Sequence, residues 1–242
     1  MADAPGAGGP AGPAQVVATR EAPDAGATGA GAVPATTVLP LRDIPGRWPV
    51  TSSAQLPGTR FLHVRRDTVV MPGGGQADRE IIDHPGAVAI AALDARDRVL
   101  MIRQYRHAPG GLLWEIPAGL RDVTGEPLVQ AAQRELLEET GHRAADWHVL
   151  TDVVSAPGFS SERVRIFLAR GVSEVPAAEQ HYVRTDEEAS LQVAWVPLEA
   201  AVRGFLAGDL HNGVTGVGIL SAYAAITSGF GALRETGAPE TL

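Results

Sequence analysis

The sequence has no cysteine, and its 20 basic side chains are all arginines because it has no lysine either. Without cysteine the chain forms no disulfide, no thiolate zinc site and no cysteine nucleophile. Without lysine it has no Schiff-base amine and no P-loop lysine. No apolar run approaches the roughly 20 residues of a membrane span, and no signal peptide is recognisable. We therefore expect a soluble, cytoplasmic protein with no membrane partner.

Excess negative charge also limits the possible partners. The net charge is -8, and sequence-independent binding of nucleic acid requires basic groups that neutralise phosphates, so no nucleic-acid partner is expected. The 242 residues suffice for one domain with extra segments. Residues 1–45 are mostly Ala, Gly, Pro and Thr, which predicts a disordered tail. Residues 46–85 are expected to form N-terminal strands, and residues 86–232 the main domain.

Apolar periodicity predicts several short strands and a few helices. The strands are expected at 60–70, 79–83, 87–93, 99–104, 149–154, 164–169 and 190–197. The helices are expected at 128–140, which Gly141 ends, at 198–207 and at 213–226. This order favours a mixed α/β domain over a regular βαβ repeat.

A group of carboxylates is predicted on the helix 128–140. Residues three and four positions apart share a helix face, so Glu135, Glu138 and Glu139 project close together, and Glu126 can approach from the preceding loop. Converging carboxylates repel one another unless a cation lies between them, and oxygen ligands favour Mg²⁺ or Mn²⁺. Charge alone favours another interpretation, a solvated face held by ion pairs such as that of Arg134 with Glu138.

The spacing of the whole segment favours the metal site, because it resembles the Nudix box. That motif runs Gly, five residues, Glu, seven residues, Arg-Glu, an aliphatic, any residue, Glu-Glu, any residue, Gly. Here Glu126 lies eight positions before Arg134, and residues 134–141 read RELLEETG. Two positions depart from the motif. Six residues separate Gly119 from Glu126, in a loop where an insertion is tolerated, and His142 replaces the last aliphatic residue.

The resemblance implies a Nudix catalytic domain over residues 86–232, an α/β/α sandwich around a mixed sheet, preceded by an N-terminal antiparallel sheet. It implies hydrolysis of a nucleoside diphosphate derivative with Mg²⁺ or Mn²⁺ as cofactor. Arg134 would orient the glutamates through charge-assisted hydrogen bonds. The implied metal ligands are Glu135, Glu138, Glu139, the carbonyl of Ala118 and, as a weaker partner, Glu126.

Residues outside the box resemble the ADP-ribose pyrophosphatase branch of the family. The resemblance covers about residues 58–230 and is carried by HPGAV at 84–88, RQYR at 103–106, WEIPAG at 114–119 and Pro157. It implies hydrolysis of ADP-ribose to AMP and ribose 5-phosphate. Pro157 would belong to the substrate site, although Pro-Gly also marks an ordinary turn. Trp114, or Tyr105, would stack on adenine, although an aromatic residue is more often part of a core.

Polar residues near these motifs have two interpretations each. Arg103 and Arg106 could clamp the diphosphate, or they could form surface salt bridges. Glu115 could accept hydrogen bonds from adenine or ribose, or it could pair with an arginine. Glu162 could be a further ligand or an acid–base group, or it could be a capping or solvated carboxylate.

A catalytic base is expected outside the helix. In this branch it often comes from a mobile loop, and residues 181–190 match that loop in position. Glu188 and Glu187 are the candidates, with Glu188 preferred, because a carboxylate near the metal could take a proton from the attacking water. The alternative is a solvated acidic loop.

The resemblance also implies a homodimer in which residues 46–85 are exchanged, and a nucleotide sugar as the small-molecule partner. Two other functions stay open. One is a pyrophosphatase for GDP-mannose, ADP-glucose or NADH, although the zinc-ribbon cysteines of an NADH-type enzyme are absent. The other is a Nudix-fold sensor without catalysis, which the intact glutamates disfavour.

Overall fold

The computed structural model describes residues 15–18, 37–40, 49–57, 63–180, 182, 191–231 and 233–240. The chain divides into two units, residues 1–47 with 241–242, and residues 48–240. In the first unit two strands are described, β1 (Gln15–Ala18) and β2 (Thr37–Pro40), which pair antiparallel. Both lie within residues 1–45, where a disordered tail was expected; the remainder of that stretch lies outside the described residues, and the tail stays a prediction.

The second unit begins with a three-stranded antiparallel sheet. Its strands are β3 (Val50–Gln55), β4 (His63–Val70) and β5 (Gln76–Asp83), in the order β3-β4-β5. An antiparallel sheet was expected in residues 46–85, but β3 was not predicted, and β5 begins three residues earlier than expected. The exchange of this sheet between two subunits stays a prediction.

The remaining elements build the main body of the unit. Their order is β6 (Ala87–Ala92), β7 (Arg98–Arg106), β8 (Gly111–Glu115), β9 (Ala118–Leu120), α1 (Leu128–Thr140), β10 (His142–Arg143), β11 (Asp146–Val154), β12 (Arg163–Arg170), β13 (Ser173–Glu174), β14 (Gln192–Pro197), α2 (Leu198–Ala207) and α3 (Gly213–Thr227). A mixed sheet has the order β11-β12-β6-β9, with β12 parallel to β6. An antiparallel sheet has the order β14-β7-β8.

Strand β6 is buried along its whole length because both of its faces are covered. Ala87, Ala89 and Ala91 belong to a core formed with α2 and α3, to which Leu198, Ala201, Ile219 and Ala222 contribute. The alternate residues Val88, Ile90 and Ala92 pack against α1, which contributes Ala131, Ala132 and Leu136. The period-2 alternation of a strand thus places one helix layer on each face. This arrangement confirms the predicted α/β/α sandwich.

Predicted and observed boundaries agree best for the helices. Helices α1 and α2 have the predicted limits, and α3 extends one residue further. Strands β8, β9, β10 and β13 were not predicted, and they have two to five residues each. Among the described helices, none is long and apolar enough to cross a membrane.

Candidate active site

Arg134 lies at the centre of the predicted carboxylate cluster on α1. Its NH1 donates to Glu135 at 2.6 Å and to Glu138 at 3.1 Å. Its Nε and NH2 donate to the two carboxylate oxygens of Glu126 at 3.3 and 3.2 Å, and NH2 lies 3.7 Å from Asp122. The predicted pairing of Arg134 with Glu138 is therefore confirmed, and one guanidinium holds three glutamates together, as expected of an orienting residue.

Glu139 points from α1 toward strand β9. Its side chain is buried, and its Oε2 accepts a hydrogen bond of 2.8 Å from the backbone N–H of Ala118. Ala118 was predicted to contribute its carbonyl to a metal site. In the structure the backbone amide of Ala118, and not its carbonyl, contacts Glu139, and this hydrogen bond fixes β9 against the helix. The carbonyl's role as a ligand stays a prediction.

Gly119 provides the space that the carboxylate of Glu135 occupies. A Cβ built on Gly119 would collide with all three carboxylate atoms of Glu135. The glycine does not adopt a positive φ, so close approach, and not backbone freedom, explains why a side chain does not fit here. The first glycine of the motif, Gly119, thus packs directly against the Glu135 side chain of the helix.

Burial changes the acidity of this cluster. It raises the pKa of the Glu135 carboxyl above its ordinary value, because the desolvation of the charged form outweighs the nearby Arg134 guanidinium. The hydrogen bond to Glu126, together with the charge of Glu135, raises the pKa of Arg134 further. The charge of Arg134 therefore offsets only part of the desolvation of Glu135.

The chemistry of these side chains suits a hard divalent cation, since carboxylate oxygens are the ligands that Mg²⁺ and Mn²⁺ prefer. Across the described ranges, no three acidic or histidine side chains converge in a geometry ready to hold a metal ion. The contacts of Arg134 explain this, because Glu126, Glu135 and Glu138 all turn toward its guanidinium. Donor type and burial fit a metal, and in this conformation Arg134 takes the place of the cation.

Arg106, which is exposed, and Glu115, which is buried, form an ion pair on the β7–β8 hairpin. Arg106 donates from Nε and NH2 to the two oxygens of Glu115 at 3.0 and 2.7 Å, and Gln104 donates to the same carboxylate at 3.3 Å. The Glu115 side chain is 3% exposed, and these hydrogen bonds offset the cost of burying its polar atoms. Pairing with an arginine, one of the two interpretations of Glu115, is what the structure shows. Contact of either residue with substrate stays a prediction.

Arg103 lies on the other face of the same hairpin. Its guanidinium lies over the ring of Trp114, 5.9 Å from the ring centre, and these two residues are direct cross-strand partners. Arg106 instead contacts Glu115, the neighbour of Trp114, and successive residues of a strand point to opposite faces. The structure therefore does not bring Arg103 and Arg106 together on one face, and their contact with a diphosphate stays a prediction. Trp114 is half-buried and packs against the core. Its stacking on adenine stays a prediction.

A cleft of about 380 Å³ opens beside the box. Arg106, Glu115, Gly119 and Glu162 line it, together with residues that the sequence did not single out, Asn212 and Thr215 at the start of α3. Asn212 caps α3 by accepting from the N–H of Thr215 at 2.9 Å, and the Thr215 hydroxyl accepts from the N–H of Ile116 at 3.0 Å. From the sequence, Asn212 is recognisable only as a helix N-cap. No neighbouring residue in the sequence indicates that α3 begins at this cleft.

Glu162 is held at the edge of the cleft by two partners. Its carboxylate accepts from the Ser155 hydroxyl and lies 3.5 Å from Nε2 of His84. His84 Nδ1 accepts from the N–H of Gly86 at 3.1 Å, which leaves Nε2 as the donor of the neutral ring. Glu162 is thus neither a cap nor a freely solvated carboxylate. Pro157 lies exposed in the same loop and does not line the cleft.

The predicted catalytic bases, Glu187 and Glu188, lie outside the described residues. The described chain ends before this loop at 180, includes Tyr182 alone, and resumes at Leu191, which leads into β14. Their assignment stays a prediction.

The model of the family described as the NUDIX domain matches residues 83–213, which is more than half of the chain. The chain belongs to the NUDIX domain family. The matched range contains the Nudix helix α1 and strand β9, with Arg134 and the glutamates around it. The prediction of a Nudix hydrolase is thus confirmed, and enzymes of this family generally use divalent metal ions.

Individual relatives agree with this Nudix assignment. An ADP-ribose pyrophosphatase of Mycobacterium tuberculosis (strain ATCC 25618 / H37Rv) is 46% identical over 179 residues, which are 74% of this chain and 84% of that protein. The methanol dehydrogenase activator of Bacillus methanolicus is 32% identical over 144 residues, 60% of this chain and 75% of that protein. The crystal structure of an ADP compounds hydrolase matches with a TM-score of 0.64 at 20% identity, over 78% of this chain and 98% of that one, which confirms the fold.

Proposed function

We propose that the protein hydrolyses the diphosphate of ADP-ribose to AMP and ribose 5-phosphate in the presence of Mg²⁺. The observation that carries this proposal is the glutamate cluster of α1, which lies against β9 beside a cleft large enough for part of a nucleotide sugar. The 46% identity to an enzyme named ADP-ribose pyrophosphatase, which extends over most of both chains, supports the choice of substrate.

Mg²⁺ would be held by Glu135, Glu138 and Glu139, with the Ala118 carbonyl and Glu126 as further partners. Bound there, the metal would neutralise the diphosphate and lower the pKa of a coordinated water. Burial of Glu135 and the short supply of positive charge around it support this assignment. Mn²⁺ has the same preference for oxygen ligands and is the natural alternative ion.

The chain's own residues have separate tasks in the proposed reaction. Arg134 keeps the carboxylates oriented, as its contacts with Glu126, Glu135 and Glu138 indicate. The Arg106–Glu115 pair lines the cleft, where the guanidinium can contact a phosphate oxygen without leaving Glu115 uncompensated. Glu188, or Glu187, is proposed as the base that removes the proton from the attacking water.

A substrate panel tests the proposed reaction. The purified protein is incubated with ADP-ribose, ADP-glucose, GDP-mannose and NADH, with Mg²⁺, with Mn²⁺ and with EDTA, and the products are separated by chromatography. We expect metal-dependent AMP from ADP-ribose at the highest kcat/KM. Faster cleavage of another member would keep the Nudix chemistry and refute the substrate, whereas no cleavage of any member would favour the non-catalytic sensor.

The variant Glu139→Gln tests the site itself. A glutamine can still accept the hydrogen bond from the Ala118 N–H, so the melting temperature should stay near that of the parent protein. Loss of one anionic ligand should lower kcat/KM by about 10²-fold or more. The control is Glu199→Gln, at an exposed glutamate of α2 that pairs with Arg203 at 3.6 Å. If Glu139→Gln kept full turnover, the proposed site would be wrong.

The finer features of the assembly are part of the same proposal. We infer a cytoplasmic homodimer in which residues 46–85 are exchanged. The edge strand β3 supports this, since all six of its residues are exposed in the single chain. Size-exclusion chromatography with light scattering should give about twice the 25.2 kDa of one chain, and a mass of one chain would exclude the dimer.

A further inference from the structure

Segment 233–240 lies beyond the predicted domain limit of residue 232. It runs across the mixed sheet from the β11 edge to the β9 edge. At the β11 edge, the Arg234 carbonyl accepts from the N–H of Val149 at 2.8 Å. At β12, the Ala238 carbonyl accepts from Arg165 NH1 at 2.6 Å. Beyond β9, the Glu240 carboxylate accepts from Arg121 NH1 at 3.0 and 3.2 Å. We call residues 233–240 the strap.

The geometry of the sheet agrees with this path. Strands β11, β12, β6 and β9 are consecutive neighbours, so β11 and β9 lie about 14 Å apart at the usual spacing between strands. The six steps from Arg234 to Glu240 can extend to about 20 Å. The strap is therefore long enough to join the two edges.

The middle of the strap is fixed by a buried charge. Arg165 is 2% exposed, and its Nε and NH2 donate to the two oxygens of Asp152 at 2.7 and 3.1 Å. Arg234 donates to the same carboxylate at 2.9 Å. An unpaired donor on a buried guanidinium is costly, so the Ala238 carbonyl stabilises Arg165 by accepting from its third nitrogen. These contacts anchor the strap before it reaches Glu240.

The far end of the strap holds the loop that leads into the Nudix helix. The backbone N–H of Arg121 donates to the Gly86 carbonyl at 3.1 Å, and the Arg121 side chain then passes so close to Gly86 that a Cβ there would lie 2.9 Å from its Cδ. Glu240 receives the end of that side chain. Arg121 is thus fixed at its backbone, along its stem and at its charged end.

The same loop joins Arg121 to the glutamate cluster. Asp122, the next residue, lies 3.7 Å from Arg134, and Glu126 at the end of the loop binds that guanidinium through both of its oxygens. Arg134 in turn holds Glu135 and Glu138. A displacement of Arg121 would therefore move the partners that fix Arg134 and, through it, the proposed ligands.

We propose that Glu240 and Arg121 are positioning residues, through which the strap holds the loop 120–126 and raises the affinity of the glutamate cluster for a divalent cation. This inference rests on the proposed function, because it takes the glutamates of α1 as the metal site. The contacts are side-chain bonds between groups that are about three-quarters buried, so the effect on affinity is modest and measurable.

Calorimetric titration with Mn²⁺ and no substrate tests the proposal on the full chain. Glu240→Gln and Arg121→Gln should each raise the Kd for Mn²⁺ between about 1.5-fold and 5-fold, the range for a partly exposed ion pair. Arg121→Lys, which keeps the charge, should recover most of the affinity. The double variant should be no weaker than the weaker single variant, since the two residues act through one contact. The control is Glu80→Gln, which removes the exposed Arg66–Glu80 pair on β4 and β5.

Hydrogen exchange provides a readout that a merely structural contact would not give. If the strap favours metal binding, metal must favour the docked strap by the same factor, so Mn²⁺ should slow exchange of the amides of 235–238 and 240 in the parent protein and not in Glu240→Gln. Parent-like Mn²⁺ affinity in both glutamine variants, or a lower melting temperature with unchanged affinity, would refute the proposal. If the parent protein bound no Mn²⁺, the metal site of the proposed function would fail instead.

Discussion

Replacement of Gly119 by alanine should reduce activity far more than stability. The new Cβ would overlap the carboxylate of Glu135, so that group must move by about 1 Å or more to reach an ordinary contact. The atoms that collide are the far end of a flexible side chain, and a rotation of Glu135 relieves the overlap without a shift of the backbone. A displacement of about 1 Å near the reacting groups can cost about 10²-fold in rate, whereas overpacking relieved in this way should cost less than about 1 kcal/mol.

The assay compares kcat/KM for ADP-ribose and the melting temperature of Gly119→Ala with those of the parent protein. The matched control is Gly73→Ala, at a turn where an added Cβ meets no atom within 4 Å and φ is not positive. We expect the control to keep full activity and Gly119→Ala to lose between about 10-fold and 10²-fold at nearly unchanged melting temperature. Full activity in Gly119→Ala would show that the position of Glu135 does not matter for turnover, and the reasoning would be refuted.

Two further variants test stability. Although burial opposes its ionisation, hydrogen bonds from Arg165 and Arg234 hold the pKa of Asp152 below its ordinary value. The stability that this carboxylate contributes is present above its unfolded pKa of about 4 and is lost as pH falls through the lower folded pKa. The melting temperatures of the parent protein and Asp152→Asn should therefore differ at pH 7 and converge below about pH 4; a constant difference would contradict this. Leu136→Ala, in the fully buried core under α1, should cost about 2–5 kcal/mol in urea unfolding, and a loss under 1 kcal/mol would show that the helix is not packed as described.

Local sequence spacing was sufficient for the helix that carries the glutamates. Helical periodicity fixes which residues share a face over a few positions, so Arg134, Glu135 and Glu138 could be placed together without any long-range information. The limits of α1 also follow from local signals, since Pro127 precedes its first residue and Gly141 follows its last.

The β7–β8 hairpin shows where the same reasoning fails. The predicted strand ended at residue 104, whereas β7 continues to Arg106 and pairs with the unpredicted β8. The alternation of a single extended strand places Arg103 and Arg106 on opposite faces. To share a face they would need an interruption of β7 between them, and β7 is continuous from Arg98 to Arg106. Strands of three to five residues such as β8 and β9 carry too little periodicity of their own and are set by pairing with their neighbours.

Contacts between distant parts of the sequence were not predictable from spacing. The strap joins Glu240 to Arg121 across 119 positions, and Thr215 meets Ile116 across 99. Taken by its local sequence, each of these residues would be interpreted as a solvated charge or an ordinary helix residue. Only the folded sheet brings the partners together. The cleft is the consequence, since α3 contacts β8 through the core and begins at the cleft that β9 also lines.

The balance of charge around Arg134 connects the fold to the proposed chemistry. Asp122, Glu126, Glu135 and Glu138 surround a single guanidinium, and the buried carboxylate of Glu139 lies on the same helix. One positive charge does not balance this many carboxylates. Burial is the main cause of the raised pKa of Glu135, and the charges of Glu138 and Asp122 add to it. A protein that needed only a stable helix would gain from replacing Glu135 by a neutral residue. The retained deficit is a physical reason to expect a divalent cation, and it predicts that metal should raise the melting temperature of the parent protein more than that of Glu139→Gln.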